Sequence, residues 1–290
     1  MAEQTREIKR RIRSIQNTEQ ITKAMQMVAA ARLRRAEERV VSARPYSEKI
    51  DELIKRIAEN FGEISHPFFR PRERHNVGYV VFTSDRGLCG GYNSHIIHRA
   101  ELAMAQDEQA GVIIVGTKGR DYFRRRNVDL LAEFLALGEK PAVAQAEGIA
   151  RTLVELYKGN IVDEVNLVYT EYISTGKQQP VVYKLLPLVA PEQEEEEERD
   201  FGIIPDYIIE PNPQGVLDML LPRFINAVVF RALQESKASE EAVRMIAMSS
   251  ASENAKEMID DLSLLANKLR QAGITSEISE IVSGAGALEG

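Results

Sequence analysis

The residues best suited to chemistry gather in one loop. Ser84-Asp85-Arg86-Gly87-Leu88-Cys89-Gly90-Gly91 follows an apolar β-branched run and precedes a helical one. A phosphate could rest there on backbone N–H groups at a helix N-terminus. The spacing matches neither G-x-G-x-x-G nor a Gly-Lys-Ser/Thr loop. A tight strand-to-helix turn is therefore the preferred account of the glycines. Cys89 is the single cysteine. Nothing near it in sequence supplies a base, so an unreactive, partly buried thiol is expected. His95, His98 and Glu101 fall three apart on a helix, a spacing that could present one face to a metal. No fourth ligand is in view, and a metal site is not expected. The acidic run EQEEEEERD, Glu192 to Asp200, reads as a solvated loop rather than a cation site. No Ser-His-Asp arrangement and no carboxylate pair stands out. The expectation is a chain with no catalytic site, no cofactor and no metal of its own.

Composition narrows the classes further. Hydrophobic content of 44% with 28% charged residues is that of a folded chain. One cysteine allows no internal disulfide, which fits a reducing compartment. The opening MAEQTREIKRRIR is charged and lacks the apolar core of a secretory signal. No apolar run approaches the ~20 residues needed to span a bilayer. A cytoplasmic chain, touching a membrane through a complex at most, is expected. The net charge of −7 is unevenly placed. Met1 to Arg44 carries eleven Lys/Arg against five Asp/Glu, and Glu235 to Gly290 carries five against ten. A basic head could bind nucleic acid, but a basic helix facing an acidic helix accounts for both ends, and nucleic acid is not the expected partner.

The two ends must be long helices. Ile8, Ile12 and Ile15 are spaced four and three apart, and Ile21, Met25 and Val28 repeat that spacing. Pro45 predicts a kink rather than an end, because the periodicity resumes through Ile50, Leu53, Ile54 and Ile57. Gly62 and Pro67 stop the pattern. At the other end it runs from Pro213 to about Ala285, with a kink expected near Pro222. Ala255, Met258, Leu262, Leu265, Leu269 and Ala272 read as a coiled-coil seam. Helices of about 55 and 70 residues would be roughly 80 and 105 Å long. A compact 290-residue globule has a radius of gyration near ~19 Å. Helices of that length must protrude, and each offers the other an apolar stripe. Pairing of the two chain ends would be antiparallel. The uncharged, small-residue end Ile281–Leu288 suits insertion into a sleeve made by other chains.

Between the ends the period changes. Val77–Thr83 and Val112–Val115 are short β-branched runs read as buried strands, each followed by a helical stretch, Asn93–Glu108 and Arg120–Arg126. Leu167–Ile173 and Pro180–Leu188 flank STGKQQ as two further strands. Such alternation predicts a small parallel or mixed sheet. The fold class is α/β: a Rossmann-like central domain over 75–205, with terminal helices over 1–62 and 213–286 forming a long antiparallel coiled coil.

Three stretches carry a family resemblance: RRIRSIQNTEQITKAMQMVAAARLRRA, TSDRGLCGGYN, and RMIAMSSASENAKEMIDDL followed by KLRQAGITSEISEIVSGAGAL. The chain resembles the gamma subunits of bacterial F-type ATP synthases over nearly its whole length. The signature Ile274, Thr275, Glu277, Glu280, Gly284, Ala285 is especially close. The resemblance implies a central shaft inside a ring of three alpha and three beta subunits. Its α/β domain would stand on the membrane c ring beside the epsilon subunit, peripheral to the cytoplasmic side of the membrane. Mg-ATP and ADP would be bound by alpha and beta, not by this chain. Met25, Arg270 and Gln271 match family positions that meet beta, and Tyr207 and Glu210 match the foot that meets the c ring. Seam packing remains an alternative for Met25, and a solvated face for Arg270 and Gln271. Gly273, Gly286 and the acidic run depart from many relatives. No inserted cysteine pair is present, so thiol regulation is not expected. The competing function is a nucleotide-binding enzyme built on the Gly-rich loop.

Overall fold

A computed structural model describes residues 2–60, 66–69, 72–138, 143–188 and 213–288. The chain runs α1 (Ala2–Asn60), β1 (Asn76–Phe82), α2 (Tyr92–Met104), β2 (Gln109–Val115), α3 (Thr117–Arg125), β3 (Leu130–Phe134), α4 (Val143–Lys158), β4 (Glu164–Ser174), β5 (Lys177–Leu186) and α5 (Pro213–Leu288). The terminal helices hold 59 and 76 residues and continue through Pro45 and Pro222. The chain divides into two compact units, residues 31–243 and residues 1–30 with 244–290.

The unit of residues 31–243 is built on one sheet of order β3-β2-β1-β4-β5. β1 pairs parallel with β2 and β4, and β2 pairs parallel with β3. β4 and β5 form an antiparallel hairpin. Strand alternation sends Val80, Phe82, Ile113, Val115, Leu167 and Tyr169 to one face. Val77, Tyr79, Val81, Val112, Ile114 and Val168 go to the other. Both faces are covered, which is why β1 and β2 read as continuous apolar runs rather than alternating ones. α2 and α3 cover the second face through Ile96, Ile97, Ala100 and Phe123. α4 covers the first through Ala146, Ile149, Leu153 and Tyr157. α5 joins that same core from Leu217 to Leu233. Its VLDMLLPRFINAVVFRAL stretch is apolar nearly all round, the pattern of a buried helix rather than a two-faced one. Within this unit α1 buries Leu33, Ala36 and Val40 at heptad spacing, and Glu37 accepts a hydrogen bond from Tyr172 of β4.

In the other unit the two helices pair antiparallel. The Thr22 and Ser252 hydroxyls share a 2.7 Å hydrogen bond, and Gln26 Nε2 donates to Ser249 Oγ at 3.1 Å. The partner number falls as the α1 number rises, which is the antiparallel sense. The more buried positions of α1 are Ile8, Ile12, Ile15, Glu19, Thr22, Gln26 and Ala29, alternating four and three apart. On α5 they are Ser252, Ala255, Ile259, Leu262, Ala266, Leu269, Gly273 and Ser276. Ile8, Ile12, Ile15, Ala255, Leu262 and Leu269 fall in the seam as expected from sequence, and the other expected positions are corrected. Ile21 is 60% exposed, and Val28 is exposed as well. Met258 is 56% exposed, and Leu265 and Ala272 also face outward. The physical reason is phase. The stripe begun by Ile8, Ile12 and Ile15 continues at four-and-three spacing through Glu19, Thr22, Gln26 and Ala29, and Ile21 and Val28 stand one position off it. On α5, Met258, Leu265 and Ala272 stand one position before Ile259, Ala266 and Gly273.

Candidate partner-binding surface

The outward apolar side chains form the surface most in need of explanation. On α5 they are Met258, Leu264, Leu265, Ile274, Ile278, Ile281 and Val282, with Leu264 and Ile281 each 70% exposed. On α1 the residues are Ile21, Met27 and Val28. Single exposed apolar residues are ordinary, but a run of them at helical spacing marks an interaction surface. The sequence carries this signal in the spacing of Ile21, Val28, Met258 and Leu265, but spacing alone does not say which face meets the partner helix.

The candidate contact residues fall as follows. Met25 is half-buried, one position from the seam residue Gln26. Arg270 and Gln271 are exposed. Ile274 lies four residues beyond Arg270 and Ile278 seven beyond Gln271, so the polar pair shares a helix face with the outward aliphatics. The structure therefore groups Arg270 and Gln271 with that surface. Tyr207 and Glu210 lie outside the described residues, as does the acidic run 192–200.

The Gly-rich loop of the α/β unit is held by its own side chains. Asp85 Oδ1 accepts hydrogen bonds from Thr117 N–H at 3.0 Å, Thr117 Oγ1–H at 2.9 Å and Ala136 N–H at 3.2 Å. A carboxylate of the loop thus caps the N-terminus of α3. Asn93 ties the rest. Its Oδ1 accepts from Ser84 N–H at 3.0 Å, while its Nδ2 lies 2.8 Å from Ser84 Oγ and 3.2 Å from Cys89 Sγ. Cys89 is buried as a free thiol. Gly90 adopts φ +51°, and a side chain at Gly116 would meet Thr83 O at 2.2 Å. These glycines serve the turn and the close strand approach. Burial, aided by Glu240, holds the Tyr92 hydroxyl far above its ordinary range, so it is no base. His95 and His98 are exposed on α2, and Glu101 is engaged with Tyr122 and Arg126. Among the described residues no cluster of three His, Cys, Asp or Glu could hold a metal. Among them, too, no helix is long and apolar enough to cross a membrane.

A family model described as ATP synthase matches residues 4–288. The chain is 48% identical over 285 residues to an ATP synthase gamma chain of Heliobacterium modesticaldum, covering 98% of both chains. The chain belongs to the ATP synthase gamma-chain family. A gamma chain of Desulforamulus reducens is 47% identical over 284 residues, covering 98% of this chain and 99% of that one. A third, from Cupriavidus necator, is 43% identical over 290 residues at similar coverage. Chains in solved structures share the fold. A chain in the Euglena gracilis mitochondrial ATP synthase, in a structure of its OSCP, F1 and c-ring, matches with TM-score 0.68 and 21% identity over 99% of this chain and 95% of that one. A chain in the central stalk and c-ring structure of the Tetrahymena thermophila enzyme matches with TM-score 0.60 and 23% identity over 80% of this chain and 99% of that one.

Proposed function

We infer that this chain is the central rotary shaft of an ATP synthase. It couples ion-driven rotation of a membrane c ring to ATP synthesis or hydrolysis at catalytic sites on beta subunits. One observation carries the reading: in a member of this family, the paired helices leave a run of large apolar side chains exposed outside their mutual seam. Such a surface fits a sleeve of other chains, here three alpha and three beta subunits. The c ring and the epsilon subunit are the partners assigned to the α/β domain. No nucleic acid partner is assigned, and the chain would be peripheral, on the cytoplasmic side of the membrane.

The mechanism is differential binding. A shaft can shift a beta subunit between open and closed states only if its faces contact those states with different free energies. α5 has such unlike faces. Glu253, Glu257 and Asp260 make an exposed acidic stripe at helical spacing, and Met258 and Leu265 make an exposed apolar one beside it. Neighbouring positions on an α-helix are about 100° apart. Turning by that amount replaces carboxylates with aliphatics before a fixed neighbour. Met25, Arg270 and Gln271 are assigned to beta contacts, and Tyr207 and Glu210 to the c ring. Arginine suits this role because its charge and donor fork are fixed. No catalytic residue, cofactor or metal is assigned to this chain; Mg-nucleotide belongs to alpha and beta.

Co-expression with alpha and beta subunits tests the reading. A stable complex with one copy of this chain per three alpha and three beta subunits, active in ATP hydrolysis, is expected. Failure to assemble would sink it. The second reading, an enzyme using the Gly-rich loop, is disfavoured because Asp85 and Asn93 tie that loop down with the chain's own side chains. Stoichiometric nucleotide binding by the isolated chain would revive it.

A further inference from the structure

His66 lies in the short turn His66–Phe69 and is 5% exposed. Both of its ring nitrogens are committed. Phe68 N–H donates to Nδ1 at 3.1 Å, so Nδ1 carries a lone pair. The proton of the neutral ring is then on Nε2, which lies 3.2 Å from Asp218 Oδ1 of α5. The turn closes through Phe69 N–H to His66 C=O at 3.0 Å. Its purpose is the placement of Phe68, which is fully buried in the core shared by the sheet, α4 and α5. The Phe68 ring stands edge-on to His66 at 4.8 Å and to Tyr157 at 5.8 Å. Its carbonyl accepts Leu188 N–H at 2.7 Å, just beyond β5.

We propose that His66 and Asp218 form an acid-released clamp, which holds the Phe68 turn on the core while the imidazole is neutral and frees it when the ring gains a second proton. A protonated Nδ1 is a donor facing another donor, the Phe68 N–H. That amide is then left without a partner in a buried site, which is unfavourable. The bond to Asp218 survives and strengthens, so the ring stays with α5 while the turn lets go. The charged groups facing the ring oppose one another. Burial is the largest influence and resists the second proton; Asp218 favours it, and Lys158 at the end of α4 resists it. The balance places His66 below its ordinary value of 6.5. A group depressed on folding adds stability that is complete above the unfolded value. The clamp is therefore intact above about pH 6.5 and lost progressively below it, with a slope of up to tenfold per pH unit for one proton.

The full chain has four histidines, so each ring is resolvable by NMR. The expected result is an Nε2–H tautomer for His66 near neutrality and a titration below 6.5. Amide exchange at Phe68 and Leu188, normalised for the intrinsic pH effect, should lose about tenfold or more of its protection between neutral pH and about pH 5. Val81 and Ile114, in the central strands, should keep theirs. His66→Gln should flatten that dependence, and Asp218→Asn should move it to lower pH. An Nδ1–H tautomer near neutrality would overturn the proposal. So would equal pH dependence in wild type and His66→Gln. If His66→Gln fails to fold, the wild-type tautomer and titration still decide.

Discussion

Asp85→Ala separates a structural loop from a ligand-binding one. Asp85 Oδ1 collects three donors, two from Thr117 at the start of α3 and one from Ala136 beyond β3. One carboxylate thus ties together the loops that leave β1, β2 and β3. Each neutral-donor bond has a net worth of about 0.5–1.5 kcal/mol, and a carboxylate at a helix N-terminus adds about 0.3–1 kcal/mol. Thr117 is half-buried and Ala136 exposed, so water can partly replace the lost acceptor. The low end of the sum applies, about 2–3 kcal/mol. Asp85→Asn keeps one acceptor oxygen and loses the charge, for a cost of about 1 kcal/mol. Urea unfolding followed by circular dichroism reads both values, with ATP and ADP titration of the same proteins alongside. A destabilisation of Asp85→Ala below about 0.5 kcal/mol, the scatter of ordinary surface substitutions, would refute the reasoning. Nucleotide binding by wild type that disappears in Asp85→Ala would refute it too.

Three further outcomes are expected. Ser252→Ala should cost about 0.5–1 kcal/mol by removing the hydrogen bond to Thr22 Oγ1, which still donates to the Glu19 carbonyl, and Thr22→Val with Ser252→Ala should cost little more; a urea double-mutant cycle reads the coupling. Glu164 is raised by burial but lowered more by Lys184, Asn166 and Arg74, so it stands below its ordinary 4.5. It therefore adds stability above about pH 4.5 that is lost as pH falls through the depressed value, and Lys184→Met should shrink this acid-side loss in urea titrations at a series of pH values. Arg270→Ala with Gln271→Ala should lower ATP-driven turnover of the assembled complex several-fold while the isolated chain unfolds as wild type; a matching loss of stability would assign these residues to the chain's own fold.

Much of this fold was readable from residue types and spacing, and the gaps have physical causes. The β-branched runs of β1 and β2, and the hairpin around STGKQQ, stood out because buried strands in small sheets leave little room for polar residues. β3 did not, since it is a five-residue edge strand whose Leu131 and Glu133 reach the surface or a surface ion pair with Arg124. α4 is harder to read from sequence because two of its five buried residues are alanine. The opening third of α5 was read as shaft, although its apolar residues surround the helix and only a sheet together with other helices can cover them all. Ile8, Ile12, Ile15, Leu262 and Leu269 have the period of the seam and lie in it, whereas Ile21, Val28, Met258 and Leu265 have that period one position out of phase and face outward. Periodicity identifies a stripe; only its phase along the whole helix says which stripe meets the partner helix.

Rotation observed directly tests the central claim. The single native cysteine, Cys89, is buried, so an introduced thiol is a specific handle. Gly176, at the tip of the β4–β5 hairpin, has no heavy atom within 4 Å of an added side chain. A bead attached through Gly176→Cys, on a complex whose alpha and beta subunits are fixed to a surface, should turn in one direction when ATP is supplied and stop when it is withdrawn. A complex that hydrolyses ATP at the full rate while the bead only diffuses would contradict the account.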